Sequence, residues 1–362
     1  MSVYEALGSS GLTRINGNAV EIGTMTERTK KKRFQMRFTG PMIICAATLL
    51  FFSLFAKNFF TISNAANIIR QASVLAIVAF GQTFTILIQG FDLSVGAVMG
   101  LTACLTAILM IKGIVPVVAA VVLGLGVATV CGLVNGIVTN FIGLNPFVST
   151  FGMWGMALGV ALVISEEKVI FGLPDTLRFL HDGELLGIPI PLILVMIIWL
   201  ILHLFLKLTP YGTSIYAIGG NPTAAELSGI PVRRYQILIY AFCGLMAGVA
   251  GILFLARANA AQAVDTIGYE FDSVVAVVVG GTSLMGGRGG VAQTLLGVVL
   301  LAAVRNGLNL MGASIYLQLV AVGTILILAY IAENQASSLG GKRIRGLFTR
   351  RVGLTSGEKK SV

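Results

Sequence analysis

One carboxylate interrupts an otherwise apolar stretch at "GFDLSVGAVMGL", residues 90–101, where Asp92 sits between Gly90 and Gly96. Ionisable groups at membrane depth are costly and face a bundle interior or a water-filled cavity. Asp92 has three possible roles. With Ser94 it caps a helix starting near Leu93, pairs with a base, or lines a solute path; glycines on both sides suit the cap. A second interruption, "VVVGGTSLMGGRGGVAQ" at 277–293, carries six glycines, one charge (Arg288) and Ser283. Broken helices in a membrane survive only where their backbone is buried in protein or lines a cavity. Gln82, Asn135, Asn140, Asn145, Arg305, Asn306 and Asn309 are further polar residues in or beside apolar runs. Each amide can tie helices together through an interhelical hydrogen bond.

Several chemistries lack their residues. Beyond Asp92 no intramembrane carboxylate pair or Asp/His relay is expected, which argues against a proton-coupled carrier and against glycoside hydrolysis. The two histidines, His181 and His203, form no metal-ligand spacing. Cys45, Cys104, Cys131 and Cys243 lie in apolar runs without a CxxC, so neither a disulfide framework nor a thiolate metal site is expected. No GxxxxGK[ST] occurs, so the chain is expected to have no nucleotide-hydrolysing site.

A different kind of signal lies at "NPTAAELSGIP", residues 221–231. Asn221 reads as a helix cap, Pro222 as the first helical residue, and Gly229 with Pro231 as the stop. A short helix over about 222–229 follows, inside a polar loop of 28 residues, 207–234. That loop is longer than a connection between packed helices needs, so the helix suits docking of another protein.

The elements that must position these residues are membrane helices. Of 362 residues 56% are hydrophobic and 11% charged, and mean hydropathy is +0.91. The fold class is therefore all-α and polytopic. Apolar runs at 40–56, 72–89, 95–111, 114–138, 145–165, 191–206, 235–255, 269–281, 291–310 and 314–333 make about ten transmembrane segments, some short or broken. An even count puts both termini on one side. Residues 1–38 and 334–362 hold seven Lys and Arg each, so both tails are expected in the cytoplasm. Loop 166–188, with five acids against two bases, then lies outside, and loop 207–234 lies inside with Lys207, Arg233 and Arg234 at its edges. The net charge of +10 suits topology and anionic lipid; no aromatic-interleaved basic domain points to nucleic acid. Residues 39–333 form one transmembrane domain between two basic tails. Two glycine breaks and two Asn-Gly pairs, Asn135-Gly136 and Asn306-Gly307, give a faint internal echo of the kind duplicated transporters show.

"GFDLSVGAVMGLTA", "NPFVSTFGMWGMALG", "YAIGGNPTAAELSGIPV" and "YEFDSVVAVVVGGTSLMGGRGGVAQTLLG" together resemble the permeases of sugar-uptake ABC importers, of the ribose, xylose and galactose type. The resemblance spans about residues 40–333 and implies a subunit of the bacterial inner membrane. It implies cytoplasmic ATPase subunits that hydrolyse the ATP, a periplasmic sugar-binding protein, a second permease subunit in a homodimer or heterodimer, and no cofactor in this chain. It makes Asn221, Ala224, Ala225, Glu226 and Gly229 the coupling helix, although Thr223 stands where the family places an acid. Asp92, Ser94, Gly96, Asn135, Asn145, Ser283, Arg288 and Asn306 become candidates for the translocation path or its helix breaks. Permeases for nucleosides or branched-chain amino acids, and an ion-driven carrier, are the alternatives.

Overall fold

The computed structural model describes residues 12–15, 18–21, 27–329 and 331, with side chains from Pro41 onward. Two short strands, β1 (Leu12–Ile15) and β2 (Asn18–Glu21), form an antiparallel hairpin before the first helix. Helix α1 (Glu27–Phe55) includes the basic run Lys30–Arg33, which the sequence had assigned to a tail. The C-terminal basic tail, 334–362, lies outside the described residues.

All ten apolar runs coincide with helices. They are α1, α2 (Ile62–Leu87), α3 (Val95–Ile111), α4 (Val117–Ile137), α5 (Pro146–Ser165), α7 (Ile190–Leu208), α10 (Val232–Ala258), α11 (Tyr269–Val279), α12 (Val291–Leu310) and α13 (Ile315–Ala329). Six of them are long and apolar enough to cross a bilayer alone: α2, α4 with its extension to Ile142, α5, α7, α10 and α12. Helix α11, with 11 residues, is too short for that. Between α5 and α7 lie α6 (Asp175–Asp182) and a two-stranded hairpin of β3 (Glu184–Leu185) and β4 (Ile188–Pro189). The expected polar loop after α7 is instead helical. It holds α8 (Pro210–Gly220) and α9 (Pro222–Leu227), separated only by Asn221.

Helices α2, α3 and α10 form the centre. Residues Ser73–Leu87 of α2 are buried without interruption, an all-round pattern that marks a helix enclosed by others. Helix α10 crosses α4 where both backbones are bare. A Cβ on Gly132 would overlap the Tyr240 carbonyl, and one on Gly136 would stand 2.8 Å from the Ile237 Cα. Small residues four apart let helices approach this closely in lipid. At the flank, Phe52, Ala56 and Phe59 pack against Ala303 and Val304 of α12.

The bundle has two distinct ends. At one, Ile170 pairs with Ala261 in a β-bridge, and Arg70 reaches Glu184 at 3.1 Å. At the other lie α8, α9, the 88–94 break and the 280–290 loop.

Candidate functional site

Asp92 stands two residues ahead of the α3 N-cap, Ser94, and braces the turn that enters the helix rather than capping it. Its Oδ1 accepts from the Ser94 N–H at 2.9 Å and from the Ser94 hydroxyl at 2.6 Å. This is an Asx turn, a side-chain oxygen accepting from the second following residue, and the 93–94 turn leads directly into α3, whose N-cap is Ser94. The side chain is fully buried. Asn135 of α4 closes the pocket: its Nδ2 donates to Ser94 Oγ at 2.9 Å and lies 3.3 and 3.4 Å from the two Asp92 oxygens. Among the described residues no Lys or Arg pairs with Asp92, so of the three possible roles the ion pair is not the one built.

Two neighbours hold the backbone of this break, and one of its own side chains reaches out to α8. Gln82 of α2, also fully buried, clasps the Asp92 peptide in its satisfying amide orientation. Its Nε2 donates to the Asp92 carbonyl at 3.2 Å and its Oε1 accepts the Asp92 N–H at 3.3 Å. Tyr240 of α10 donates its hydroxyl to the Phe91 carbonyl at 3.2 Å. Gln89 donates to the Gly219 carbonyl of α8 at 2.9 Å. An irregular segment among apolar helices needs every peptide group paired, and these side chains supply the partners. The sequence singled out Asp92, Ser94, Asn135 and Gln82; Tyr240 and Gln89 carried no signal there.

Asp92→Asn is expected to change stability by no more than about 1 kcal/mol, because asparagine keeps an acceptor for Ser94 and no ion pair is lost. Asp92→Ala strands the Ser94 N–H, the Ser94 hydroxyl and the Asn135 amide, and should cost about 3 kcal/mol. Thermal unfolding of the detergent-purified chain separates the two; equal effects would refute the hydrogen-bonded turn.

The glycine-rich interruption lies against the first. The Gly287 N–H donates to the Leu87 carbonyl at 2.9 Å, taking up a carbonyl left free where α2 ends. Within the loop the Ser283 N–H donates to the Arg288 carbonyl at 3.0 Å, and the Thr282 hydroxyl accepts the Gly290 N–H at 3.1 Å. Gly286, Gly287, Gly289 and Gly290 all have positive φ, which explains why this turn is glycine. Arg288 projects to the surface, and Ser283 is a turn former whose Oγ accepts the Met285 N–H at 3.3 Å.

The remaining path candidates scatter. Asn145 is exposed and caps α5 by accepting the Phe147 N–H at 2.9 Å. Asn306 forms a reciprocal amide pair with Asn64, both bonds 2.9 Å, tying α12 to α2 at the end opposite α9. The two Asn-Gly pairs therefore do different jobs, and the internal echo has no common structural meaning there. Gly96 leaves room for the Glu270 carboxylate, which a Cβ would overlap.

That last contact corrects an expectation. The run 269–281 contains Glu270 and Asp272, and both are buried, at 3% and 6% exposure. The interior thus holds carboxylates besides Asp92. Asp272 is ion-paired to Arg305 of α12 at 2.6 Å, and Glu270 accepts the Gly268 N–H at 3.0 Å. Acid count therefore does not argue against an ion-driven carrier. Among the described residues no group of three metal-ligating side chains comes together.

At the far side of α8, the short helix α9 matches its sequence signature closely. Asn221 Oδ1 accepts the Ala224 N–H at 3.0 Å, and Pro222 opens the helix. Gly229 adopts φ +84°, its N–H reaching the Glu226 carbonyl at 2.9 Å and the Ile230 N–H reaching Ala225 at 3.1 Å. This is a Schellman stop, with Ala225 and Ile230 turned to the protein. Thr223, Ala224, Glu226 and Leu227 face outward, and Leu227 is 85% exposed. Leu227 was not among the sequence candidates, although an apolar residue beside the stop of a polar-loop helix is a visible signal.

Helices long and apolar enough to cross a bilayer, with two interrupted segments meeting beside a capped surface helix, are the architecture of a multi-pass membrane protein. The chain belongs to the family described as the permease component of branched-chain amino acid transport systems, whose profile matches residues 64–330. It is 37% identical over 317 residues to a ribose import permease protein of Bacillus subtilis, covering 86% of this chain and 98% of the relative. A D-allose transport system permease protein of Escherichia coli is 34% identical, over 86% of this chain and 97% of its own length. A ribose import permease protein of Escherichia coli is 38% identical over 295 residues, 78% of this chain and 89% of the relative. No solved structure matches.

Proposed function

We propose that this chain is the membrane subunit of an ABC importer and forms the path for a monosaccharide, with ribose and allose the leading candidates. The observation that carries the reading is α9: a short, doubly capped helix presenting Ala224, Glu226 and Leu227, joined through α8 to both interruptions. The ribose and allose names of its relatives support the sugar over an amino acid or nucleoside. In this reading all ten apolar helices enter the membrane, the end bearing α8 and α9 is cytoplasmic, and loop 166–188 is periplasmic. The chain has no ATPase site of its own. Separate ATPase subunits dock on α9, a periplasmic binding protein delivers the sugar, and a second permease subunit, a copy or a relative, completes the pore. ATP-driven displacement of α9 rocks the helices between two access states. Asp92, Ser94 and Asn135 hold the break that shapes the path. Affinity resides mainly in the binding protein.

Purification from native membranes in mild detergent, followed by mass spectrometry, tests the partnership. A stoichiometric P-loop ATPase is the expected companion. A chain that purifies alone and moves solute into liposomes without ATP would replace the importer with an ion-driven carrier. Gly229→Pro probes the docking helix. Proline fixes φ near −65°, against the observed +84°, and removes the bond to Glu226. Transport per ATP should fall by about tenfold, with the protein still present in the membrane. Wild-type coupling in that variant would sink the assignment of α9.

A further inference from the structure

The C-terminal end of α8 meets both interruptions, backbone against backbone. A Cβ on Gly219 would overlap the Leu87 carbonyl and the Gly287 N–H. One on Gly287 would stand 2.8 Å from the Gly220 nitrogen and 2.9 Å from the Gly219 carbonyl carbon. One on Gly286 would stand 3.0 Å from the carbonyl oxygens of Gly219 and Leu87. Two side chains fasten the contact. The Tyr216 hydroxyl donates to the Gly289 carbonyl at 2.8 Å, and Gln89 Nε2 donates to the Gly219 carbonyl at 2.9 Å. Side chains absorb displacement by changing rotamer; peptide planes packed this closely do not.

Gln89 itself sits at φ +65°, a conformation that glycine adopts freely and other L-residues adopt at a cost. Glycine would relax the backbone here but could not reach Gly219. A strained residue whose side chain makes a long-range bond marks a position where the bond matters more than local comfort. Downstream, Asn221 alone separates α8 from α9, donating its N–H to the Ala217 carbonyl at 3.1 Å while its side chain caps α9. Upstream, Gln89 lies three residues before Asp92 and its turn into α3.

We propose that Gln89 is a positioning residue, and that the contact of Tyr216–Gly220 with Leu87–Gln89 and Gly286–Gly289 is the joint through which movement of α9 reaches both interruptions. The inference rests on the importer reading and names the place where its drive enters the membrane bundle.

The test uses the complete transporter, with its ATPase and binding protein, in proteoliposomes, and takes radiolabelled D-ribose and D-allose as probes. Gln89→Gly should accumulate normally, hydrolyse ATP, and move about tenfold less sugar per ATP. Gln89→Lys, which keeps a donor of similar reach, should recover much of that ratio. Gln89→Asn, which tolerates positive φ but is shorter, serves if the glycine variant fails to accumulate. In parallel, amides of residues 213–229 should exchange hydrogen about tenfold faster in the glycine variant, with α10 unchanged. An unaltered sugar-to-ATP ratio in Gln89→Gly overturns the joint while leaving the importer intact. If the wild-type complex moves neither sugar, the sugar assignment fails, and the exchange rates decide the joint: equal rates overturn it.

Discussion

Gly244→Val is expected to leave almost no folded protein in the membrane. Gly244 lies on α10 where it crosses α4, and its absent side chain is what allows the crossing. A Cβ there would overlap the Ala128 carbonyl and lie 2.9 Å from the Gly132 nitrogen and 3.0 Å from its Cα. Every one of those atoms is backbone, so no rotamer change can make room. The helices would have to separate along the contact that also seats Gly132, Gly136 and Gly248, and Tyr240 would be drawn away from Phe91. Overpacking of a well-filled core costs about 1–3 kcal/mol, and a backbone-only site belongs at or above the upper limit. Gly126, on the same α4, meets nothing within 4 Å of a built Cβ. Gly126→Ala should therefore be neutral or slightly stabilising, since alanine is the better helix former. Membrane levels and thermal unfolding in detergent compare the pair. Similar behaviour of the two variants would refute the crossing as the source of the effect.

The second large effect is expected at Arg305. Its guanidinium lies 2.6 Å from the Asp272 carboxylate, which is 6% exposed on the first turn of α11. Arg305→Ala leaves that carboxylate buried without its partner. Removing one member of a buried pair costs about 3–5 kcal/mol, and because the arginine is partly open to its surroundings the lower figure applies. The loss should show as a lower unfolding temperature and lower membrane levels. Adding Asp272→Asn to Arg305→Ala removes the stranded charge and should recover most of the stability. If the double variant is as poor as the single one, arginine acts through its packing, and the ion pair is incidental.

How much of this could be read in the sequence depends on whether the signal is local. Helix positions follow from apolar run length, and all ten runs are helical. The α9 cap and stop follow from Asn221, Pro222 and Gly229, whose conformational preferences act within a turn of chain. The bonds from Ser94 to Asp92 are local in the same way, although the helix itself begins two residues later than a cap at Asp92 would place it. Missed features depend on distant partners. Nothing around Gln89 announces a positive φ or a bond to Gly219, 130 residues away. Asp272 and Arg305 each look like an interfacial charge until α11 and α12 are packed together. Helix α8 was hidden because threonine, glycine and tyrosine in "PYGTSIYAIGG" are weak helix formers, and its place is fixed by packing against α7, α2 and the glycine loop. The α4–α10 crossing was recoverable: Gly132 and Gly136, like Gly244 and Gly248, are four residues apart, and small residues at that spacing are a packing signal in lipid.

The glycine-to-glycine seam between α8 and the 286–290 turn has a consequence for transplantation. If the loop carrying α8 and α9 docks the ATPase as proposed, it is the obvious part to exchange when one permease is to run on another's ATPase. Here the loop ends in a surface of mostly bare backbone, fastened by Tyr216 and pressed on two other stretches of the same chain. A graft of residues 209–231 alone would bring one half of a fitted pair. Chimeras that also carry residues 85–94 and 280–290 keep the three parts matched, so the smallest exchangeable unit is discontinuous in sequence although continuous in space.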